Sequence, residues 1–176
     1  MSEGTIRELQ PGSQAPDFIL PNAQGRLFAL ADALRRGPVL LAFFKIACPT
    51  CQYALPFVER LAKRLEGGAI TVFSISQDSP EHTALFNREF GISLPQLFDP
   101  EDESFPVSEA YQIVFVPTLF VVEQDGLISR VSAGFNKKEF EEIAAHLGAA
   151  AEREAVPLFT ADENVPLVVP GCGGKN

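Results

Sequence analysis

The chain has 176 residues, 46% of them hydrophobic and 21% charged, an ordinary globular composition that one domain accommodates. A domain of this size buries roughly 70% of its unfolded surface, so its core needs no disulfide staples and its cysteines are free for chemistry. A formal net charge of −9, with no Lys/Arg cluster longer than a pair, argues against nucleic acid and anionic membrane surfaces and favours a protein or small-molecule partner.

Met1 to Gln10 mixes Glu3, Arg7 and Glu8 with isolated apolar residues and lacks the apolar core of a secretory signal, so the expected setting is the cytoplasm. Residues 1–14 read as a lead, 15–148 as the folded domain, and 149–176 as a tail packed on the domain or partly flexible. Phe18-Ile19-Leu20 and Leu27-Phe28 flank Asn22-Ala23-Gln24-Gly25, which predicts a hairpin at the entrance to the domain. Val39 to Phe44 is a continuous apolar run after Gly37-Pro38, as in a strand buried on both faces of a mostly parallel sheet. From Cys51 onward Ala54, Leu55, Val58, Leu61, Ala62 and Leu65 recur at helical spacing, Glu59, Arg60, Lys63 and Arg64 fill the other side, and Gly67-Gly68 stops the helix.

Ile70 to Ile75 predicts a second buried strand, and Ser79-Pro80 opens a helix running to Phe90 and stopped by Gly91. This βαβα order implies an α/β fold with parallel strands and right-handed crossovers. Residues 92–112 read as an insert holding a short strand at Leu97-Phe98 and a short helix over Val107 to Tyr111. Ile113 to Val122 is the longest nearly apolar run, and its length and Pro117 suit a buried strand rather than a membrane span. Leu119 to Val122 and Leu127 to Val131 predict an antiparallel hairpin with Asp125-Gly126 in its turn. The closing helix has Asn136 as N-cap, Glu139 three residues later, a Phe135/Phe140 staple and Gly148 as its stop.

Three cysteines do not form a structural disulfide framework in a reducing compartment, and two of them sit three apart as Cys48-Pro49-Thr50-Cys51. A Cys-X-X-Cys pair at a helix start is chemically distinct, because unpaired N–H groups and the positive end of the helix dipole stabilise a thiolate. Cys48 is the expected exposed nucleophile, its pKa lowered to about 6–7.5. Cys51, one turn inward, is placed to resolve a mixed disulfide, while Pro49 and Thr50 shape the loop. Two competing readings are a chance pair of structural cysteines and a zinc site. The latter lacks a second Cys or His pair, since His82 and His146 are isolated, so neither a metal nor any other cofactor is expected beyond the dithiol.

Ala15-Pro16-Asp17-Phe18, Phe43-Phe44 through the dithiol, Pro56 in the helix, and Val116-Pro117-Thr118 followed by Phe120 to Gly126 form a set of motifs at characteristic separations. In these the chain resembles the thioredoxin superfamily, and within it the redoxin branch of TlpA/ResA-like thiol:disulfide oxidoreductases, related to AhpC/TSA proteins, over about residues 15–148. It implies a thioredoxin-like fold, a central mixed β-sheet flanked by helices, with a hairpin before it and a tail extension after it. It also implies that Val116-Pro117-Thr118 is a cis-proline loop facing the dithiol and offering backbone groups to an extended substrate. The chain departs from the family pattern at Ala47, where relatives carry Trp, and at Ala42, where thioredoxin carries a buried acid.

Asp78 falls about where the branch has a carboxylate able to act on the Cys51 proton; the alternative is a cap on the helix beginning at Pro80. Lys45 either favours a Cys48 thiolate or snorkels at the sheet's end. Cys172, in Pro170-Gly171-Cys172-Gly173-Gly174, is a possible third thiol approaching Cys48 or a free cysteine without a role. The resemblance implies exchange of disulfides with a protein or low-molecular-weight thiol, maintained by a separate electron donor. A thiol peroxidase is the alternative, but the Pro-X-X-X-Thr-X-X-Cys segment of peroxiredoxins is absent, Leu41 and Lys45 standing in its Pro and Thr places before Cys48. A non-catalytic redox-sensing module is a third class.

Overall fold

The computed structural model describes residues 8–176; the first half of the lead lies outside the described residues. Five strands form the central sheet in the order β5-β4-β3-β7-β8: β3 (Val39–Phe44), β4 (Thr71–Ser76), β5 (Gln96–Phe98), β7 (Thr118–Val122) and β8 (Ile128–Ala133). β3, β4 and β5 run parallel, whereas β7 is antiparallel to both β3 and β8, so the sheet is mixed. All six residues of β3 are buried, because a middle strand of a helix-flanked sheet is covered on both faces. β1 (Ile19–Pro21) and β2 (Leu27–Ala29) form the predicted hairpin in front of α1 (Leu30–Leu34).

The strand-dithiol-helix unit folds as its sequence dictates. β3 leads into α2 (Pro49–Leu65), whose buried face includes Cys51, Ala54, Leu55, Val58, Leu61 and Leu65 and which carries Pro56 inside it. The face read as polar is not wholly so. Glu59 is buried, because its carboxylate accepts from the Ser93 hydroxyl and the Leu94 N–H, closing the loop that enters β5. α3 (Pro80–Phe90) ends at Gly91, which takes a left-handed φ of 69°.

Residues 92–112 correct the expectation of an insert. β5 is the edge strand of the central sheet, pairing with β4 through Ser74↔Gln96 and Ser76↔Phe98, and α4 (Pro106–Ala110) follows it. Three residues are too few to display a period, so its membership is a tertiary fact. The 113–122 run is also divided, into β6 (Phe115–Val116) and β7, with Pro117 between them.

β9 (Phe135–Asn136) precedes α5 (Lys137–Ala150). The Asn136 side chain caps α5 by accepting from the Glu139 N–H at 3.0 Å, and the Phe135 and Phe140 rings meet at 4.8 Å. Gly148 does not stop α5. The helix continues through it to Ala150, where alanines keep helical backbone favourable.

Beyond α5 the chain crosses the molecule. Arg60 holds Glu163 bidentately at 2.8 Å and the Leu158 carbonyl at 2.8 Å, and Phe159 packs edge-on against Phe57 at 4.8 Å. β10 (Val168–Val169) pairs with β9, and β11 (Cys172–Gly173) pairs with β6. These contacts lay the tail against the domain as a strap.

Candidate active site

Cys48 is the N-cap residue of α2, with extended backbone (φ −112°, ψ 110°), so its sulfur points at the unpaired N–H groups of the first turn. The Cys51 N–H donates to Cys48 Sγ at 3.1 Å, and Gln52 N–H donates to the Cys48 carbonyl at 2.9 Å. The neighbouring Cys51 thiol, helped by the Cys172 thiol and by the N–H groups of both residues, holds Cys48 down to about 5, against the opposing effect of burial. That is lower than the window expected from a helix start alone, since a third cysteine adds donors. Cys51 is shifted the other way: burial pushes its thiol up, the Cys48 sulfur beside it pushes further, and the Lys45 N–H only partly offsets this.

The Val116–Pro117 peptide bond is cis. Cys48 Sγ lies 3.5 Å from the Val116 carbonyl, which brings β6 directly over the dithiol, and the Thr118 hydroxyl donates to the Phe115 carbonyl at 2.6 Å. Thr50 does not face open space: its hydroxyl donates to the Pro170 carbonyl at 2.6 Å.

Three sequence expectations are corrected here. Cys48 is not exposed but fully buried, as Cys51 is, because the strap covers it. The Lys45 ammonium neither reaches the dithiol nor runs free; it donates to the Gly173 carbonyl at 2.6 Å, fastening the strap. Asp78 is not the cap of α3, a role taken by Ser79, whose hydroxyl accepts from the His82 N–H at 3.2 Å. Asp78 instead accepts from the Ile46 N–H at 2.8 Å and pairs with Lys175, so its oxygens are engaged with the loop before the dithiol and with the strap, not with the Cys51 thiol.

Cys172 is brought to the site. It pairs with Val116 in the β6–β11 register, and the Val116 carbonyl lies 3.5 Å from Cys48 Sγ; its thiol and N–H help to lower the Cys48 pKa, and burial raises its own thiol, which Thr50 at the head of α2 partly counteracts. Sequence reading missed Gln77, a buried amide that donates to Ser108 Oγ and Asn176 Oδ1, both at 3.0 Å, and accepts from the Lys175 N–H at 2.9 Å. A polar residue closing an apolar strand run was its signal. Gly134 is the other omission, since the strap passes within contact of its backbone.

A mixed five-stranded sheet flanked by helices, with a Cys-X-X-Cys pair heading α2 beneath a cis-proline segment, defines a thioredoxin-like fold. Residues 11–131 match the AhpC/TSA family, and the chain belongs to that family of oxidoreductases. Among curated relatives, the thiol-disulfide oxidoreductase ResA of Geobacillus thermodenitrificans is 28% identical over 137 residues, covering 77% of this chain and 75% of that one. A putative peroxiredoxin of Mycobacterium tuberculosis is 33% identical over 146 residues, covering 77% and 91%. Among solved structures, a hypothetical protein from Sinorhizobium meliloti superposes with a TM-score of 0.72 at 20% identity over 96% of both chains. A putative thiol:disulfide interchange protein DsbE from Chlorobium tepidum gives 0.70 at 23%, covering 81% and 99%.

Proposed function

We propose that this protein is a thiol:disulfide oxidoreductase that reduces disulfides of proteins or small molecules through Cys48 and Cys51. The observation that carries the reading is the opposed setting of the two thiols: the Cys51 thiol, with the Cys172 thiol and the N–H groups of both residues, lowers Cys48 to about 5, while burial and the Cys48 sulfur hold Cys51 up. The Cys48 thiolate attacks a disulfide R–S–S–R′, forming Cys48–S–S–R as R′S⁻ leaves and takes a proton. Cys48 then carries no charge, so one cause of the raised Cys51 pKa disappears. Cys51 loses its proton and attacks Cys48 Sγ, releasing RS⁻ and leaving a Cys48–Cys51 disulfide for an electron donor to reduce. Neither a metal nor an organic cofactor takes part in this scheme. The proposed setting is the cytoplasm, where a reducing thiol pool keeps such a dithiol charged.

The putative peroxiredoxin among its relatives favours a second reading, peroxide reduction. Against it, Lys45 stands three residues before Cys48 with its ammonium on the strap, and Thr50 spends its hydroxyl on Pro170. Parallel assays of disulfide reduction and hydrogen peroxide consumption on one sample decide between them. Disulfide reduction abolished by Cys48→Ser is expected. Peroxide turnover without disulfide turnover would overturn the assignment.

A further inference from the structure

The strap passes over Cys48 as a peptide bound in register. β11 lies antiparallel to β6, with Cys172 opposite Val116 and Gly173 opposite Phe115, and the Gly174 N–H donates to the Val114 carbonyl at 3.0 Å. Main-chain pairing of this kind is how an extended segment adds to a sheet edge. Side chains around the dithiol hold it on both flanks of Cys172: Thr50 binds the Pro170 carbonyl, Lys45 the Gly173 carbonyl and Asp78 the Lys175 ammonium. The approach is so close that a Cβ on Gly171 would come within 2.9 Å of the Val116 carbonyl oxygen, and one on Gly134, at φ +74°, within 2.9 Å of the Gly171 nitrogen. Only glycines admit this backbone contact. Cys48 is consequently sealed, while Cys172 keeps partial access to solvent.

We propose that Pro170–Lys175 is an internal substrate strand and that Cys172 is a third redox-active thiol, which exchanges disulfides with Cys48 in the same chain. The proposal rests on the exchange activity above, which supplies the oxidised dithiol. In that state the Cys172 thiol loses its proton and attacks Cys48 Sγ. The Cys48–Cys51 bond breaks as the Cys48–Cys172 bond forms, and Cys51 leaves as a thiolate that takes up a proton, so no outside oxidant is consumed. The two oxidising equivalents move from a buried pair to a sulfur that touches solvent. An external substrate reaches Cys48 only when the strap lifts, and Cys172 competes with it at an effective concentration set by the tether.

The full-length Cys51→Ser chain, oxidised at low concentration with diamide, which accepts two electrons and two protons to become the hydrazine, isolates the new bond. Non-reducing peptide mapping is expected to find an intrachain Cys48–Cys172 disulfide as the main product. Adding Gly171→Val, which drives a side chain into Val116, should slow formation of that bond by about tenfold and speed alkylation of Cys48 by about tenfold, because the tethered thiol is no longer held in place. Lys45→Met, which unfastens Gly173 without crowding, should shift both rates in the same directions, and it keeps the test valid should the valine variant fold poorly. Absence of the Cys48–Cys172 bond in Cys51→Ser, or equal rates in Lys45→Met and its parent, overturns the proposal. Turnover of a small disulfide by the wild-type chain, followed alongside, separates the two ideas. Turnover without the bond removes only the role of Cys172, and the bond without turnover removes only the exchange activity.

Discussion

Three thiols within one small volume ionise differently because each meets a different balance of donors and burial. Cys48 collects the Cys51 thiol, the first-turn N–H of α2 and the donors of Cys172, whereas Cys51 has lost water and faces the Cys48 sulfur. A thiol whose folded pKa is depressed contributes stability that is present above the unfolded value of about 8.5 and is lost as pH falls through the folded one. The stability advantage of reduced wild type over Cys48→Ser is therefore expected to grow as pH rises from about 5 to about 8.5. Thiolate absorbance of the reduced protein should titrate with a midpoint near 5 that Cys48→Ser abolishes. A midpoint near the free-thiol value would contradict the geometry at the head of α2. Asp78 shows the same dependence on surroundings, since a carboxylate that sequence leaves open to several roles is committed by the Ile46 N–H and Lys175.

At the scale of elements, local signals placed the helix ends well where a side chain does the capping. Asn136 closes the first turn of α5 as expected, and α3 starts at Pro80 as expected, although its cap is Ser79 and not Asp78. Replacing Asn136 by Ala is expected to cost about 1 kcal/mol, or about 2–4 °C in thermal midpoint for a chain of this size. Calorimetry on the two reduced proteins measures it, and an unchanged midpoint would mean that another acceptor takes over the Glu139 N–H. Glycine was a poorer guide. Gly91 ends α3 with a left-handed φ, but Gly148 keeps a φ outside the left-handed region and lies inside α5, where the alanines after it continue the helix.

Across the whole molecule the strap behaves as part of the core at one end and as a cover for the dithiol at the other. Phe159 sits in a cluster with Phe57 and Phe135, at ring distances of 4.8 and 5.8 Å, while Arg60 grips Glu163 next to it. Phe159→Ala is expected to lower the unfolding free energy by about 3 kcal/mol, read from urea midpoints at unchanged slope. A loss below about 1 kcal/mol would mean that the strap opens as a separate unit, its contacts uncoupled from global unfolding. The same cluster packs the strap against α2, the helix whose first turn Cys48 caps.

Much of this protein is written locally. Strand β3, the dithiol that follows it and the apolar stripe of α2 are contiguous in sequence, and short-range periodicity and helix-terminus chemistry suffice to read them, together with the staple and cap of α5. The family resemblance followed from motifs of that kind. What the sequence could not decide were contacts between residues far apart in the chain. β5 joins the sheet only through β4, Glu59 is buried only because residues 93–94 need its oxygens, and Lys45 and Asp78 find their partners in the strap. The burial of Cys48 and the arrival of Cys172 above it belong to the same class. They depend on two glycines, Gly134 and Gly171, that let one backbone approach another, and close approach between distant segments leaves no periodic trace in the residues that make it.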